Sequence, residues 1–278
     1  MRCRSSCLVL LAGCNRIFGV SLVVERDAAF YDTHVDAPFT CPPIGTAPTF
    51  DHGHLVQVLA QTCGLYSQSE DGTRALALCD EGRISEGAAD GSLLAPAPGL
   101  EGASNISYRS PRLGPDGMTA TVVRLTADPS GMNPTTSEAL LVTRDADTWR
   151  TLETIARPAM IALSVSQPTR GPGAHVLVAL ANNELHEFVD TGTGWDDRYT
   201  FMLPSYSRLS SIALSPDGLR AWFDAGDVYY ADRPTMNDPF TELGPVPGTS
   251  GFGKAFIASD CGWIYFSALQ RIWRAPRS

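Results

Sequence analysis

Hydrophobic and polar positions alternate in short runs along most of the chain, and glycine-containing turns separate the runs. The stretch "ALSPDGLRAWFDAGDVYYAD" (213–232) shows the unit. It holds two short apolar strands, with a Pro-Asp-Gly turn before them and an Ala-Gly-Asp turn between them. Alternation with a period of two between such turns is typical of antiparallel strands. The pattern predicts an all-β fold built from hairpins.

This unit recurs along the chain. Five turns that end in glycine are each followed by an apolar strand, with the glycines at Gly72, Gly117, Gly173, Gly218 and Gly262. The spacings are 45, 56, 45 and 44 residues, and the longest contains an insertion at 126–139. One strand before each turn and up to three after it make four strands per repeat, the blade of a β-propeller. We predict five four-stranded blades, or six if the N-terminal segment supplies a degenerate one.

The two ends of the predicted propeller complement each other. The last repeat ends at Ser278 with three strands, and "HLVQVLA" (54–60) precedes the inner strand of the first repeat. A strand from that segment would complete the last blade and remove the open edges of its sheet. The propeller is therefore expected to span residues 39–278 and to be closed by an N-terminal strand. A two-sheet sandwich with similar hairpins is the alternative.

Two phrases, "SPRLGPDG" and "ALSPDGLRAWF", resemble the repeat of TolB-like, WD-type bacterial propellers. That repeat reads Ser-Pro-Asp-Gly, then an apolar strand, an aspartate-bearing turn and Ile-Tyr/Trp, which 215–218, 227–229 and the tail "RIWRA" match. The third repeat departs with Gly-Pro-Gly at 171–173, and the fifth has Asp-Cys-Gly at 260–262. The resemblance runs from about Cys41 to the end of the chain and implies architecture, not a ligand.

The chain opens with "MRCRSSCLVLLAGC", a basic start followed by an apolar run too short to span a membrane. Its last four residues resemble the lipobox of bacterial lipoproteins, with Cys14 as the lipidated residue. The resemblance implies a signal peptide at 1–13 and a lipid-attached tether at 14–38. Two or three acyl chains hold a protein to a membrane almost permanently. A plain secretory signal is the alternative.

An exported protein attached to the cell envelope only through lipid is therefore expected. Asn15, where an aspartate would favour the inner membrane, points to the outer membrane, with the protein facing the periplasm or the cell surface. The chain carries 21 basic and 30 acidic residues, a net charge of −9. Because nucleic-acid binders usually present a basic stripe, a nucleic-acid partner is not expected.

If the signal is removed and Cys14 is lipidated, four cysteines remain: Cys41, Cys63, Cys79 and Cys261. In an oxidising compartment this number suggests two disulfides, although free buried thiols are the alternative. Cys63 and Cys79 lie eight residues on either side of Asp71. They would therefore face each other across the first hairpin. That pairing leaves Cys41 with Cys261.

Candidate chemistry is sparse. Asp51, His52 and His54 form a weak metal candidate, because the two histidines share one face of an extended segment but further ligands are not evident. The inner strands are rich in Ser, Ala and Arg, whereas glycosidases need paired carboxylates there. The chain contains no Gly-x-Ser-x-Gly, phosphate loop or dinucleotide fingerprint, so no cofactor is expected.

Recognition residues are expected on the loops between second and third strands and on the connections between blades, since loops on a rigid scaffold commonly bind partners. The candidates on that face are Asp128, Asn133, Asn182, Asn183, Tyr206, Arg208, Asp224, Asp227 and Lys254. The sequence thus favours a non-catalytic docking platform for an envelope protein or a glycan. The alternative is a carbohydrate-active enzyme with axial carboxylates.

Overall fold

A computed structural model describes residues 41–51, 56–59, 62–79, 82–89, 94–127, 134–169, 173–202, 209–224, 226–258, 260–268 and 271–278. Within these ranges twenty strands form five four-stranded antiparallel sheets. No helix in the described part of the chain has the length and apolarity needed to cross a membrane.

Strand β1 (Val56–Leu59) comes first in the chain. The first blade contains β2 (Leu65–Gln68), β3 (Arg74–Cys79), β4 (Arg83–Ala88) and β5 (Ala95–Pro96). The second contains β6 (Ile106–Leu113), β7 (Thr119–Ala127), β8 (Pro134–Asp145) and β9 (Thr148–Ala156). The third contains β10 (Ala162–Val165), β11 (His175–Leu180), β12 (Glu184–Asp190) and β13 (Trp195–Met202). The fourth contains β14 (Ser211–Leu214), β15 (Arg220–Asp224), β16 (Val228–Asp232) and β17 (Thr241–Pro245).

The fifth blade closes the ring. It contains β18 (Gly253–Ile257), β19 (Trp263–Ala268) and β20 (Arg271–Pro276), and β1 pairs antiparallel with β20 as the fourth strand. Each of the inner strands β2, β6, β10, β14 and β18 contacts the inner strands of both neighbours. The predicted five-bladed propeller, closed by a strand from the N-terminal side, is confirmed.

Apolar side chains fill the seams between blades. Five buried clusters occur among the described residues, one in each seam. In the seam between the first two blades, Leu76 and Ile84 pack with Leu113 and Val122, all nearly inaccessible to solvent. Because each strand buries residues against the neighbouring blade, the ring is held together mainly by sheet-on-sheet burial.

The turns after the inner strands use left-handed backbone conformations. Gly218 has φ +68°, and its N–H donates to Ser215 O at 2.8 Å. In the fifth blade this position is occupied by Cys261, with φ +57° and a matching 2.8 Å bond to Ala258 O. The assignment of Gly262 as the equivalent turn glycine was therefore wrong by one residue. A non-glycine residue is disfavoured in this conformation, and here it is also held by a disulfide.

Both expected disulfides are present. Cys63–Cys79 has a Cα–Cα distance of 3.9 Å, and Cys41–Cys261 has one of 4.9 Å. The β2–β3 ladder pairs Leu65 with Leu78, and Gly64 N also donates to Leu78 O at 2.8 Å. Two residues of one strand therefore oppose one of the other, as in a β-bulge, and Cys63 faces Cys79 as predicted.

Residues 41–51, which we call the strap, pack along the seam between the fourth and fifth blades. Phe50 is buried in the apolar cluster of that seam. The strap is also hydrogen-bonded to a buried ion pair, because Gly45 N donates to Asp232 Oδ2 at 2.7 Å and Arg220 donates to Pro43 O at 3.2 Å. Together with the Cys41–Cys261 bond, these contacts attach the N-terminal end of the described chain to the last two blades.

Candidate functional site

Serine hydroxyls join the inner strands across the seams, where no backbone ladder runs from blade to blade. The hydroxyl contacts between inner strands are Ser67 with Pro111 O (3.4 Å) and Leu113 N (2.8 Å), Ser110 with Leu163 O (2.9 Å), Ser164 with Ile212 N (3.2 Å) and Ser211 with Ala255 O (3.1 Å). Ser267, on the second strand of the fifth blade, makes a similar contact with Cys63 O (3.5 Å). These small side chains satisfy backbone groups at the axis, which otherwise would be costly to bury.

Arg112 crosses the axis from the second blade. A bulge in β6 between Arg109 and Arg112 directs its fully buried side chain inward. The guanidinium donates to Tyr66 O at 3.2 Å, to Ala255 O at 3.3 Å and to Ser211 Oγ. It therefore links the second blade to the first, fourth and fifth, and it obstructs the central channel.

The Arg112 guanidinium lacks an ion-pair partner in direct contact among the described residues, and its Nε has no hydrogen-bond partner there. Burial lowers its pKa to about 10, although the negative charge of Asp224 acts in the opposite direction. Burial in a medium of low polarity disfavours the charged form, which explains the direction. At neutral pH the side chain stays protonated, so it serves as a fixed donor.

We call the end of the ring where the inner strands begin the upper face, and the end where they turn into the second strands the lower face. Three predicted binding residues, Asp224, Asp227 and Lys254, lie near one another on the upper face. Asp224 is buried and accepts hydrogen bonds from Gly226 N at 2.9 Å, Lys254 N and Ser210 Oγ. Asp227 Oδ1 accepts from Gly251 N at 3.1 Å. Both carboxylates thus shape the loops between the fourth and fifth blades, and the Lys254 side chain is exposed.

The other predicted residues are not brought to this cluster. Asn182 and Asn183 form the turn between β11 and β12, where Asn183 has φ +66° and Asn182 Oδ1 accepts from Glu184 N at 3.3 Å. Predicted binding or lipidation residues that lie outside the described ranges are Cys14, Asp128, Asn133, Tyr206 and Arg208.

The metal candidate is only partly described. Asp51 N donates to Pro276 O at 2.9 Å, which places Asp51 beside the end of the last blade. His52 and His54 lie outside the described ranges. Among the residues that the structure does describe, no group of three or more His, Cys, Asp or Glu is arranged to hold a metal ion.

A cavity of about 90 Å³ opens at the axis on the lower face, and we call it the lower-mouth pocket. Turns from all five blades contribute to its wall, through Glu70, Pro115, Pro168, Pro216 and Asp260. Its floor consists of the buried apolar residues Leu113, Leu214, Phe256 and Ile257. The lining also includes two glutamines and two tryptophans, Gln68, Gln167, Trp222 and Trp263. An apolar floor with a few polar groups converging around it is typical of a binding site.

The turn chemistry builds the wall of this pocket. Pro115 and Pro216 follow Gly114 and Ser215, whose N–H groups each close the same turn onto the next strand. Proline suits that position because its fixed φ favours the turn and no donor is left without a partner. Glu70 occupies the corresponding position in the first blade. Aligned repeats place these three side chains on one face, which lies opposite the face on which the binding loops were predicted.

Within the described part of the chain, two buried ionic clusters lie elsewhere in the seams. Glu187 Oε1 accepts from His175 Nδ1 at 2.6 Å and from Arg233 Nη1 at 2.7 Å. Burial acts to raise the pKa of Glu187, but the hydrogen bond from His175 and the charge of Arg233 outweigh it, so the pKa lies below its usual value. The second cluster is the bidentate Arg220–Asp232 pair beneath the strap, with both bonds at 2.6 Å.

No protein-family model matches the sequence, and no curated protein matches it. Solved structures are similar in fold. A functionally unknown protein from Desulfotomaculum acetoxidans is 16% identical, with 75% of this chain and 63% of that chain covered and a TM-score of 0.49. This chain therefore spans less than two thirds of that protein.

A gluconolactonase from Xanthomonas campestris is 13% identical over 84% of this chain and 95% of its own, with a TM-score of 0.49. The β-propeller domain of Swd1 from Myceliophteria thermophila is 10% identical over 81% and 84%, with a TM-score of 0.45. Likenesses this distant bring no function to the chain. The TolB-like resemblance of the repeats and the lipobox resemblance remain predictions, and the chain is shown to be a five-bladed β-propeller.

Proposed function

We propose that this protein is a non-catalytic docking platform of the bacterial cell envelope, whose propeller binds a protein or glycan partner at the lower-mouth pocket. The observation that carries the proposal is the pocket itself, an apolar floor at the ring axis surrounded by turns from five blades. Loops on a rigid scaffold, arranged around a concave site, are where recognition usually occurs.

The composition of the axis supports binding over catalysis. The five inner strands contain neither Asp nor Glu, whereas glycosidases use two carboxyl groups roughly 5 to 9.5 Å apart. The inner-strand polar groups described above, Arg112 and the serines, are engaged in bonds across the seams. Groups held in this way stabilise the ring and are poorly placed to exchange protons with a substrate.

The envelope location rests on the lipobox at Cys14 and is supported by the two disulfides, since such bonds persist in oxidising compartments. Lipid on Cys14 would be the membrane attachment, with the outer membrane favoured. The test is incorporation of an alkyne-labelled fatty acid into the expressed chain. Label in the parent and none in Cys14→Ser supports the anchor, and equal label in both rejects it.

Docking is tested with a photo-crosslinking residue in place of Pro115 in the pocket wall, compared with one in place of the exposed Asp147 on the outer turn between β8 and β9. Each chain is irradiated in envelope extract. A species retained at 115 and absent at 147 supports docking at the lower mouth. Equal retention, or no retention together with hydrolysis of a glycan panel by the parent chain, rejects docking there and favours the enzyme alternative.

A further inference from the structure

The lower-mouth pocket is small. An engineered apolar cavity of about 150 Å³ binds benzene, and this pocket measures about 90 Å³. Leu113, Leu214 and Ile257 at its floor present only hydrocarbon. The pocket therefore has room for one aliphatic side chain.

The charged side chains among the described residues that line the pocket are acidic. They are those of Glu70 and Asp260, both exposed at the rim, and none of the other described lining residues is Lys, Arg or His. One Asp260 oxygen accepts from Gly262 N at 2.8 Å, which holds the carboxylate in the turn. The whole chain carries a net charge of −9. A partner is therefore attracted at long range if it is basic, and repelled if it is acidic.

Resting on the proposed docking function, we infer that the lower-mouth pocket binds an exposed segment of a partner protein that presents one aliphatic side chain between basic residues. The aliphatic side chain enters the pocket and contacts Leu113, Leu214 and Ile257. The flanking Lys or Arg side chains lie over the rim and face Glu70 and Asp260. Apolar contact supplies most of the affinity, and the rim charges select basic over acidic segments.

The test uses three capped seven-residue peptides, each with two glycines at either end of an Arg-Leu-Arg, Glu-Leu-Glu or Arg-Ser-Arg centre. Binding to the full chain is measured by calorimetry at low and high salt. The Arg-Leu-Arg peptide should bind about tenfold tighter than Arg-Ser-Arg, because the buried leucine is lost in the latter. It should also bind at least about fivefold tighter than Glu-Leu-Glu, with the advantage shrinking in high salt.

Two variants locate the effect. The double variant E70Q/D260N keeps the size of both side chains, and the asparagine can still accept from Gly262 N. It should remove most of the preference for Arg-Leu-Arg over Glu-Leu-Glu. The matched control D145N/D147N removes two exposed carboxylates from the outer turn between β8 and β9 and should leave all three affinities unchanged. Thermal melts of each variant show that the fold is intact.

Equal binding of the three peptides, or an unchanged preference in E70Q/D260N, would overturn the inferred ligand chemistry. The proposed docking function is tested by a different experiment, the position-specific crosslinking at 115, so it can be rejected independently. Crosslinking that succeeds while the peptides do not discriminate rejects the basic, aliphatic segment and leaves docking standing. If crosslinking at 115 fails and the peptides do not discriminate, the docking function and the inferred ligand chemistry are both rejected.

Discussion

Replacing Glu187 by Gln should destabilise the propeller strongly, because Glu187 is the shared acceptor of a buried ionic cluster. Its side chain is 1% exposed, and that of Arg233 is fully buried. The substitution keeps the shape of the side chain and removes the negative charge. Arg233 then remains buried with hydrogen bonds to Gly218 O and a weak contact to Met236 Sδ, but with no counter-ion in this cluster.

The magnitude follows from the cost of leaving one buried charge without its partner, which is about 3–5 kcal/mol. The amide oxygen of Gln can still accept one hydrogen bond from Arg233 or His175, so a loss of about 3 kcal/mol in the free energy of unfolding is expected. In the double variant E187Q/R233M the uncompensated charge is absent. The loss in the free energy of unfolding of E187Q/R233M should therefore be smaller than the sum of the losses of E187Q and R233M, by about 2–3 kcal/mol.

Equilibrium denaturation in urea, followed by tryptophan fluorescence with the disulfides intact, measures these differences. The matched control is D145N, which breaks the Asp145–Arg150 pair, whose side chains are 59% and 67% exposed. It should cost less than about 1 kcal/mol. A loss in E187Q no larger than that of D145N, or additive losses in the double variant, would refute the assignment of Glu187 as a charged acceptor.

The same cluster predicts a pH dependence. The pKa of Glu187 is lower in the folded protein than its usual value, so the unfolded chain binds a proton more readily. The stabilising contribution is complete above the usual glutamate value of about 4.3 and is lost as the pH falls through the lower, folded value. The stability gap between the parent and E187Q should narrow as the pH falls below about pH 4.

Three further predictions test the turns and the strap. Gly248→Ala should cost at least about 1 kcal/mol more than Gly72→Ala in the same urea assay, because both glycines have positive φ but only at 248 would a Cβ lie 2.2 Å from the backbone oxygen of Phe50 in the strap; equal losses would contradict this. The double variant C41S/C261S should lose about 5 kcal/mol, since the bond spans 220 residues, and a loss under about 1 kcal/mol would show that the strap is held without it. Removing the disulfide of the first hairpin, which spans 16 residues, should cost about 3 kcal/mol, and a larger loss than that of C41S/C261S would contradict the loop-length account.

Much of the fold could be predicted because local chemistry repeats. Asp-Gly turns favour tight hairpins wherever they occur, so their spacing near 45 residues revealed the blades. The one misplaced turn residue, Gly262, shows the limit of such matching. The left-handed position in that blade is taken by Cys261, which sequence chemistry disfavours and tertiary contacts impose.

The candidate site was less predictable. Glu70, Pro115 and Asp260 are far apart in the chain and become neighbours only because the ring brings every lower turn to one axis. The role of Arg112 was equally hidden, since an arginine in an apolar strand does not indicate that it will bridge four blades. The hydrogen bonds that Asp224, a predicted binding residue, accepts within the upper loops were also not evident from the sequence.

By itself, the sequence determined the strands, their grouping into blades, the closing strand and the two disulfide pairings, because these depend on local turn geometry and on symmetric spacing along the chain. Only the tertiary structure decided which turns enclose a pocket, which charges meet in the seams and what fills the axis. Those features depend on contacts between blades separated by 44 residues or more. Such contacts arise from packing of whole sheets, whose geometry no single stretch of the chain specifies.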